Sequence, residues 1–454
     1  MTTSLQALPR RRRLLGLDIA LEMQRQGTLQ FFESTWRRDG DLARLQVAGQ
    51  VIFLVVHPDH VRRISVEQRD TYGKHASYED VRRFLLGQGL LAGNGALWRR
   101  QRKLMAPFFT PRAIEAYLPI IVEDGAWFRE RWMAAATQGQ PRDMLSEMSL
   151  LTASIILKSM FSLESSATID WVKDAVETMI GFTSSRQMNP LRPPLWVPTP
   201  RNRAYLAARA RVHAYIQGVI AQRRAQAPAT WPPDLLTRLM QARDEETGAP
   251  LADALLRDEA ITIFFAGHET TARTLAFLWH ALAEHPEVAA RLHAEIDTVL
   301  GDAVPTLDHL KRLPYTLQVI KEALRLYPAA PIYARDAAAP DTIDGVPVPV
   351  GARMVVMPYL THRHPAFWPD PLRFDPDRWE PAAEAARHPY AYHPFAAGQR
   401  VCIGNNFSLF ESHLLVAMLA RHFVLHRVPG HTPQWWMDGT LGSRNGLPMI
   451  VARR

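Results

Sequence analysis

The chain carries a single cysteine, Cys402. It sits in Phe395-Ala396-Ala397-Gly398-Gln399-Arg400-Val401-Cys402-Ile403-Gly404. One thiol makes no internal disulfide, and zinc ribbons and iron–sulfur clusters need several thiolates. Three roles remain for Cys402: a buried small hydrophobe, a nucleophile, or a lone thiolate ligand. The glycines around it permit tight turns, or the close approach of a flat object to the backbone. A helix-like apolar pattern begins just after Cys402, and Arg400 lies beside it. A helix N-terminus and a nearby cation both favour a thiolate.

Other constellations lie upstream. Ala266-Gly267-His268-Glu269-Thr270-Thr271 falls inside a helical pattern from Asp253 to Glu284. A mid-helix glycine costs about 1 kcal/mol relative to alanine. Threonine hydroxyls bond backbone carbonyls, so this turn is either a weak point in the helix or a poor turn that is tolerated. Glu322 and Arg325, three apart, share a helix face and can pair. By itself that is an ordinary surface ion pair. Trp98 and Arg102 also share a face at helical spacing. Gly87-Gln88-Gly89-Leu90-Leu91-Ala92 fits a dinucleotide fingerprint, but the preceding Asp80 to Leu86 reads as helix, where that motif needs a strand. The 17 histidines form no H-E-x-x-H zinc motif, and no G-x-S-x-G nucleophile elbow is present.

The elements that must position these residues are mostly helical. Helical patterns cover Ala113 to Ala136, Leu145 to Phe161, Asp170 to Phe182, Asn202 to Ala225, Asp253 to Glu284, Pro286 to Leu300, Leu313 to Leu326 and Phe407 to Phe423. Ala43 to Val47 and Val51 to Val55 read as a hairpin, and Thr342 to Met357 as a second strand-rich patch turning at Asp344-Gly345. The fold class is therefore mainly α with a small β region built from distant segments, which argues against a parallel α/β sheet. Prolines 190, 193, 194, 198 and 200 forbid a helix between Asn189 and Pro200. The apolar Leu191, Leu195, Trp196 and Val197 there favour a loop covering a site over a solvated linker.

Composition sets the outer bounds. The chain has 454 residues, 47% hydrophobic and 22% charged, which excludes disordered and collagenous classes. The net charge of +8 would permit nucleic-acid binding, but the basic residues are scattered and no recognition motif appears. We expect no nucleic-acid partner, and an acidic protein partner instead. Arg10 to Arg13 precede a short apolar run that Asp18 and Glu22 interrupt at once, so no export signal forms. Residues 1–16 read as a flexible basic tail. No run approaches the ~18 apolar residues of a membrane span, and a soluble, cytoplasmic protein without a membrane anchor is expected.

With the motifs in view, the chain resembles the cytochrome P450 superfamily. Phe395, Gly398, Arg400, Cys402 and Gly404 match its F-x-x-G-x-R-x-C-x-G signature. Glu322 and Arg325 match E-x-x-R, Trp98 and Arg102 match W-x-x-x-R, and Ala266 to Thr271 match [AG]-G-x-[DE]-T-[TS]. The resemblance implies the P450 fold, a helical body around a buried haem b, in a single domain over residues 1–454 with no fused reductase. It implies Cys402 as the axial ligand of the haem iron, with Arg400, Trp98, Arg102 and Arg335 at the propionates. Arg378 would complete the Glu322–Arg325 pair. Thr270 would stand beside bound O2 and Glu269 would relay protons, while His268 fills a variable position. Leu86, Leu90, Phe182, Phe264, Ala266, Ala330, Ile332 and Leu441 would line an apolar substrate pocket.

The activity implied is O2-dependent hydroxylation or epoxidation of a terpenoid, fatty acid or steroid-like compound by a monomer. Electrons would come from NAD(P)H through a ferredoxin or flavodoxin, docking on Arg99, Arg100 and Lys103. The rival readings are a peroxide-driven or isomerising haem-thiolate enzyme, and a non-enzymatic haem sensor or electron carrier. The intact Glu269-Thr270 pair argues against both.

Overall fold

The central helix, Asp253–Glu284, is buried over most of its length. Its sequence is apolar on nearly every face, with Leu256, Ile261, Phe264, Leu275, Phe277 and Trp279 all in the core. A helix of that kind is stable only when surrounded. In this computed structural model, which describes residues 17–47, 49–163, 166–188, 193–243 and 248–454, it runs through the middle of the helical body. The basic tail 1–16 and the start of the proline-rich segment, 189–192, lie outside the described residues.

Helices that pack on the central one include Met144–Phe161, which makes the most extensive contact, Pro314–Leu326 and Asn405–Ala420. Met144–Phe161 alone among the described helices is long and apolar enough to cross a membrane, yet 78% of it is buried in this body. Its apolarity is that of a core helix. Gly267 explains how it comes so close: a Cβ there would stand 2.5 Å from Ile156 Cδ1.

Two expected helices differ from their patterns. The stretch Ala113 to Ala136 is broken into Pro111–Glu115 and Leu118–Gln138, because Pro119 has no N–H to continue the first helix. The last helix ends at Ala420, and Phe423–Arg427 is a strand. Its apolar Phe423 and Leu425 read equally well in either period.

The main sheet has the order Leu42–Val47, Gln50–Val55, Arg353–Val356, Tyr333–Ala337, Tyr72–Gly73. The first two strands form the expected hairpin, with Leu42 opposite Val55. Gln50–Val55 then pairs parallel to Arg353–Val356, and the remaining pairs are antiparallel. Register places Arg335 opposite Met354 and Asp336 opposite Gly73, so the sheet carries Arg335 and Lys74 at one end. A second sheet joins Arg142–Asp143, Pro448–Arg453 and Phe423–Arg427. The hairpin Trp435–Asp438 with Thr440–Ser443 lies against the central helix.

The described part of the proline-rich segment, 193–200, is held by Asn202 Nδ2, which donates to the carbonyls of Pro194 and Val197 at 2.8 Å. Leu195 packs on the core, but Trp196 is 82% exposed and turned outward. Trp196 therefore covers no site, contrary to the sequence expectation.

Candidate active site

Cys402 lies on an irregular loop that a single turn, Gly398–Arg400, leads into and the helix Asn405–Ala420 leads out of. Its N–H donates to the Phe395 carbonyl at 2.9 Å, closing the loop on itself. The loop holds two left-handed residues, Ala396 at φ 61° and Gly398 at φ 68°. At Gly398 a Cβ would also overlap the Ser65 carbonyl, so glycine is required there on both counts. Gly404 is different: a Cβ would meet only Phe109 at 3.9 Å and the Cys402 sulfur at 4.0 Å. Nothing in the chain excludes a side chain at Gly404, and its absence keeps the space beside the sulfur open.

Cys402 is surrounded by protein atoms, yet its side chain keeps accessible surface. Burial pushes its thiol up, against the Gly404 N–H and the charges of Arg102 and Lys74. A metal ion that replaces the proton converts it to thiolate.

Cations converge on this loop. Arg102, on the helix Gly95–Met105, donates to the Val401 carbonyl at 2.9 Å. Arg400 donates to the Gly93 carbonyl and to Asn94 Oδ1, with its guanidinium 3.6 Å over the Trp98 ring. Arg335 is buried and donates to its neighbouring carbonyl, that of Ala334. Lys74, which sequence reasoning missed, is also buried, with Nζ on the Leu91 carbonyl at 2.6 Å. Burial, then repulsion from Arg335 and Arg400, drives Lys74 well below the ordinary lysine range. Burial and the Arg335 charge bring Arg400 down to about 10.

Among the described residues, none of Lys74, Arg102, Arg335 and Arg400 has an ion pair to a carboxylate. Lys74 and Arg335 are buried and Arg102 and Arg400 half-buried, and cations withdrawn from water without counter-charges are costly. This cluster therefore fits a dianionic group, and a haem presents two propionates. With an accessible lone cysteine and the open space at Gly404, the residues present accept a haem.

The turn bearing Thr270 runs as unbroken helix. Thr270 Oγ1 donates to the Ala266 carbonyl at 2.8 Å, and Thr152 Oγ1 donates to the His268 carbonyl at 2.9 Å. Side-chain hydroxyls thus share carbonyls with the helical ladder at this point without opening it, so of the two sequence readings the tolerated turn is the one observed. The buried His268 stacks on Phe264 with ring centroids 4.5 Å apart and bonds the Phe264 carbonyl, a structural role. Glu269 is buried, with Oε1 accepting from Thr440 Oγ1 at 2.7 Å and facing Arg273 at 3.4 Å.

Glu322 and Arg325 form a fully buried fork, with Nε and Nη2 each 2.8 Å from a carboxylate oxygen. Arg325 also donates to the carbonyls of His362, Pro371 and Arg373. Arg378 lies 3.5 Å from Glu322, while the hydrogen bonds to Glu322 come from the Asp375 N–H at 2.8 Å and Trp379 Nε1 at 3.0 Å. The pair is thus no surface bridge but the clamp on the loop that precedes the cysteine segment.

The expected pocket walls divide. Ala266, Ala330 and Ile332 keep accessible surface. Leu86 and Leu441 have none, and Leu90 is nearly closed off. Phe182 stacks on Tyr205 at 3.9 Å, away from any opening. Phe264 borders a separate apolar cavity with Leu157, Val212 and Ala260. Leu86, Leu90, Phe182 and Leu441 pack within the core, while Phe264 keeps a face on that cavity. The glycine-rich Gly87 to Ala92 segment follows a helical turn, as expected, and is anchored to the central helix. Asp258 Oδ2 accepts from the Gln88 N–H and Glu259 Oε2 from the Leu90 N–H, both at 2.9 Å.

Comparison with known proteins shows the family. The family model "Cytochrome P450" matches residues 8–446, and the chain belongs to the cytochrome P450 family. It is a haem-thiolate monooxygenase that uses O2. Among its relatives is "Cyclooctat-9-en-7-ol 5-monooxygenase" of Streptomyces melanosporofaciens, 36% identical over 422 residues, covering 92% of this chain and 89% of the relative. "Cyclooctatin synthase" of the same organism is 32% identical, covering 90% and 88%. "Cytochrome P450 4A14" of Rattus norvegicus is 33% identical, covering 81% and 75%. The crystal structure of the cytochrome P450DA heme domain superposes with a TM-score of 0.83 at 28% identity, covering 94% of this chain and 93% of the other.

Proposed function

We propose that this monooxygenase hydroxylates or epoxidises an apolar small molecule of the terpenoid, fatty-acid or steroid-like kind. The observation that carries the site assignment is the cluster of buried Lys74 and Arg335 with half-buried Arg102 and Arg400, without carboxylate partners among the described residues, around the accessible Cys402. In this reading Cys402 holds the iron and the cations, with Trp98 beneath Arg400, hold the propionates. When bound, the haem supplies activation of O2 and transfer of one oxygen atom to the substrate.

The chain's residues do the rest. Thr270, half-buried on the central helix, offers its hydroxyl, and Glu269 takes up and releases protons. Ala266, Ala330 and Ile332, apolar and partly accessible, orient the substrate and exclude water. The name of the first relative describes an unsaturated alcohol as its substrate, which supports the terpenoid or lipid class here.

Electrons reach the site, we propose, from NAD(P)H through a separate ferredoxin or flavodoxin. Arg99, Arg100 and Lys103 are exposed one face away from Arg102, a basic surface for an acidic partner. The whole chain acts as one haem-centred domain and as a monomer, in the cytoplasm.

The test is spectroscopic. The reduced, CO-bound protein should show the long-wavelength Soret band of thiolate-ligated haem. C402S should lose that band while haem stays bound through the cation cluster. A persisting band would remove Cys402 from the iron.

A further inference from the structure

The acid of the central helix is held from outside that helix. Thr440, at the head of the strand Thr440–Ser443, is 7% exposed and donates its hydroxyl to Glu269 Oε1 at 2.7 Å. Arg273, one turn along the helix, faces the same oxygen at 3.4 Å. Its guanidinium lies against the bare backbone of Gly442, where a Cβ would stand 3.3 Å from Nη1. The hairpin therefore contributes both the hydroxyl on Glu269 and the room for Arg273. The other oxygen, Oε2, is buried and has no partner among the described residues. The tether is itself fixed, because the Leu441 N–H donates to the Ala329 carbonyl at 3.0 Å.

An untethered glutamate on a helix samples several staggered rotamers. A hydroxyl donating to one carboxylate oxygen selects among them, and leaves the second oxygen free for exchange. We propose, on the reading that Glu269 relays protons, that Thr440 is the positioning residue for that relay. It holds Glu269 by Oε1 and so presents Oε2 to the oxygen side of the site. In the relay Oε2 gives a proton toward Thr270 and recovers one from solvent, so the carboxyl is unchanged over a turn. Thr440 neither gives nor takes that proton.

The test compares wild type with T440V, T440S and E269Q as full-length, haem-loaded proteins of matched haem content. Electrons come from NADPH through a plant-type ferredoxin and its reductase, and no substrate is needed. Proton delivery is read as the ratio of hydrogen peroxide to water formed from O2, in H2O and in D2O. T440V should raise that ratio by about fivefold, the weight of one hydrogen bond on a rotamer equilibrium, and should enlarge the solvent isotope effect. T440S, which keeps the hydroxyl, should restore both. A crystal structure of T440V should show Glu269 turned from its present rotamer, a readout independent of turnover. If T440V matches wild type while E269Q shifts the ratio, the tether has no role and the relay stands. If E269Q leaves the ratio and the isotope effect unchanged, the relay falls and the tether with it. T440S behaving like T440V would mark Thr440 as a packing residue and overturn its positioning role.

Discussion

At Glu259 the side chain is 1% exposed, with Oε2 on the Leu90 N–H and Oε1 without a partner among the described residues. Burial pushes this carboxyl up to about 8 from its ordinary 4.5, against the pull of the Leu90 N–H. An acid raised on folding binds its proton more tightly in the native state. Its contribution is therefore greatest below 4.5 and is lost as pH rises through about 8. Denaturant midpoints of the wild type should fall over that window, and E259Q should flatten the fall. Equal slopes in the two proteins would show that Glu259 does not carry it. The residue matters because it holds the glycine-rich loop that carries the carbonyls of Gly93 and Leu91, the anchors of Arg400 and Lys74.

The packing of the helices Met144–Phe161 and Asp253–Glu284 sets the height of the Thr270 turn. Gly267 lets Ile156 reach the helix backbone, and Thr152 bonds the His268 carbonyl from the same partner helix. G267A would gain about 1 kcal/mol of helix propensity. Against this stands overpacking of about 1–3 kcal/mol, because Ile156 is buried and has nowhere to move. We expect net destabilisation by G267A and recovery in G267A/I156A, measured as a coupling energy in a double-mutant cycle. Additive effects would mean that the glycine serves the turn itself and not the helix contact.

Across the whole molecule, the Glu322–Arg325 fork ties the central helices to the loop leading to Cys402. Arg325 makes a bidentate pair and bonds three carbonyls while fully buried. A lysine has no planar fork and cannot satisfy that set. R325K should cost about 3–5 kcal/mol, the range for breaking a buried pair, and should reduce haem retention before the helical content falls. Thermal unfolding followed by circular dichroism and by haem absorbance would separate the two. Loss of both signals together would mean that the clamp supports the entire fold and not this loop.

The signature around Cys402, the Glu322–Arg325 spacing and the Gly267 to Thr271 turn were legible in the sequence, as were the limits of the central helix. Each is a local pattern, in which residue type and spacing decide which side chains share a face. Lys74, the Thr440 tether and the Asp375 and Trp379 bonds to Glu322 left no such trace. They come from segments far apart in the chain, and only the strand register and the docking of the hairpin bring them in. The same holds for the pocket: Leu86, Leu90, Phe182 and Leu441 have the right chemistry for a wall, but distant neighbours bury them. The sequence by itself determined the class of chemistry, because that rests on short-range spacing. The tertiary structure alone decided which cations surround the cysteine and which oxygen of Glu269 is held. Those depend on burial and on contacts across the fold.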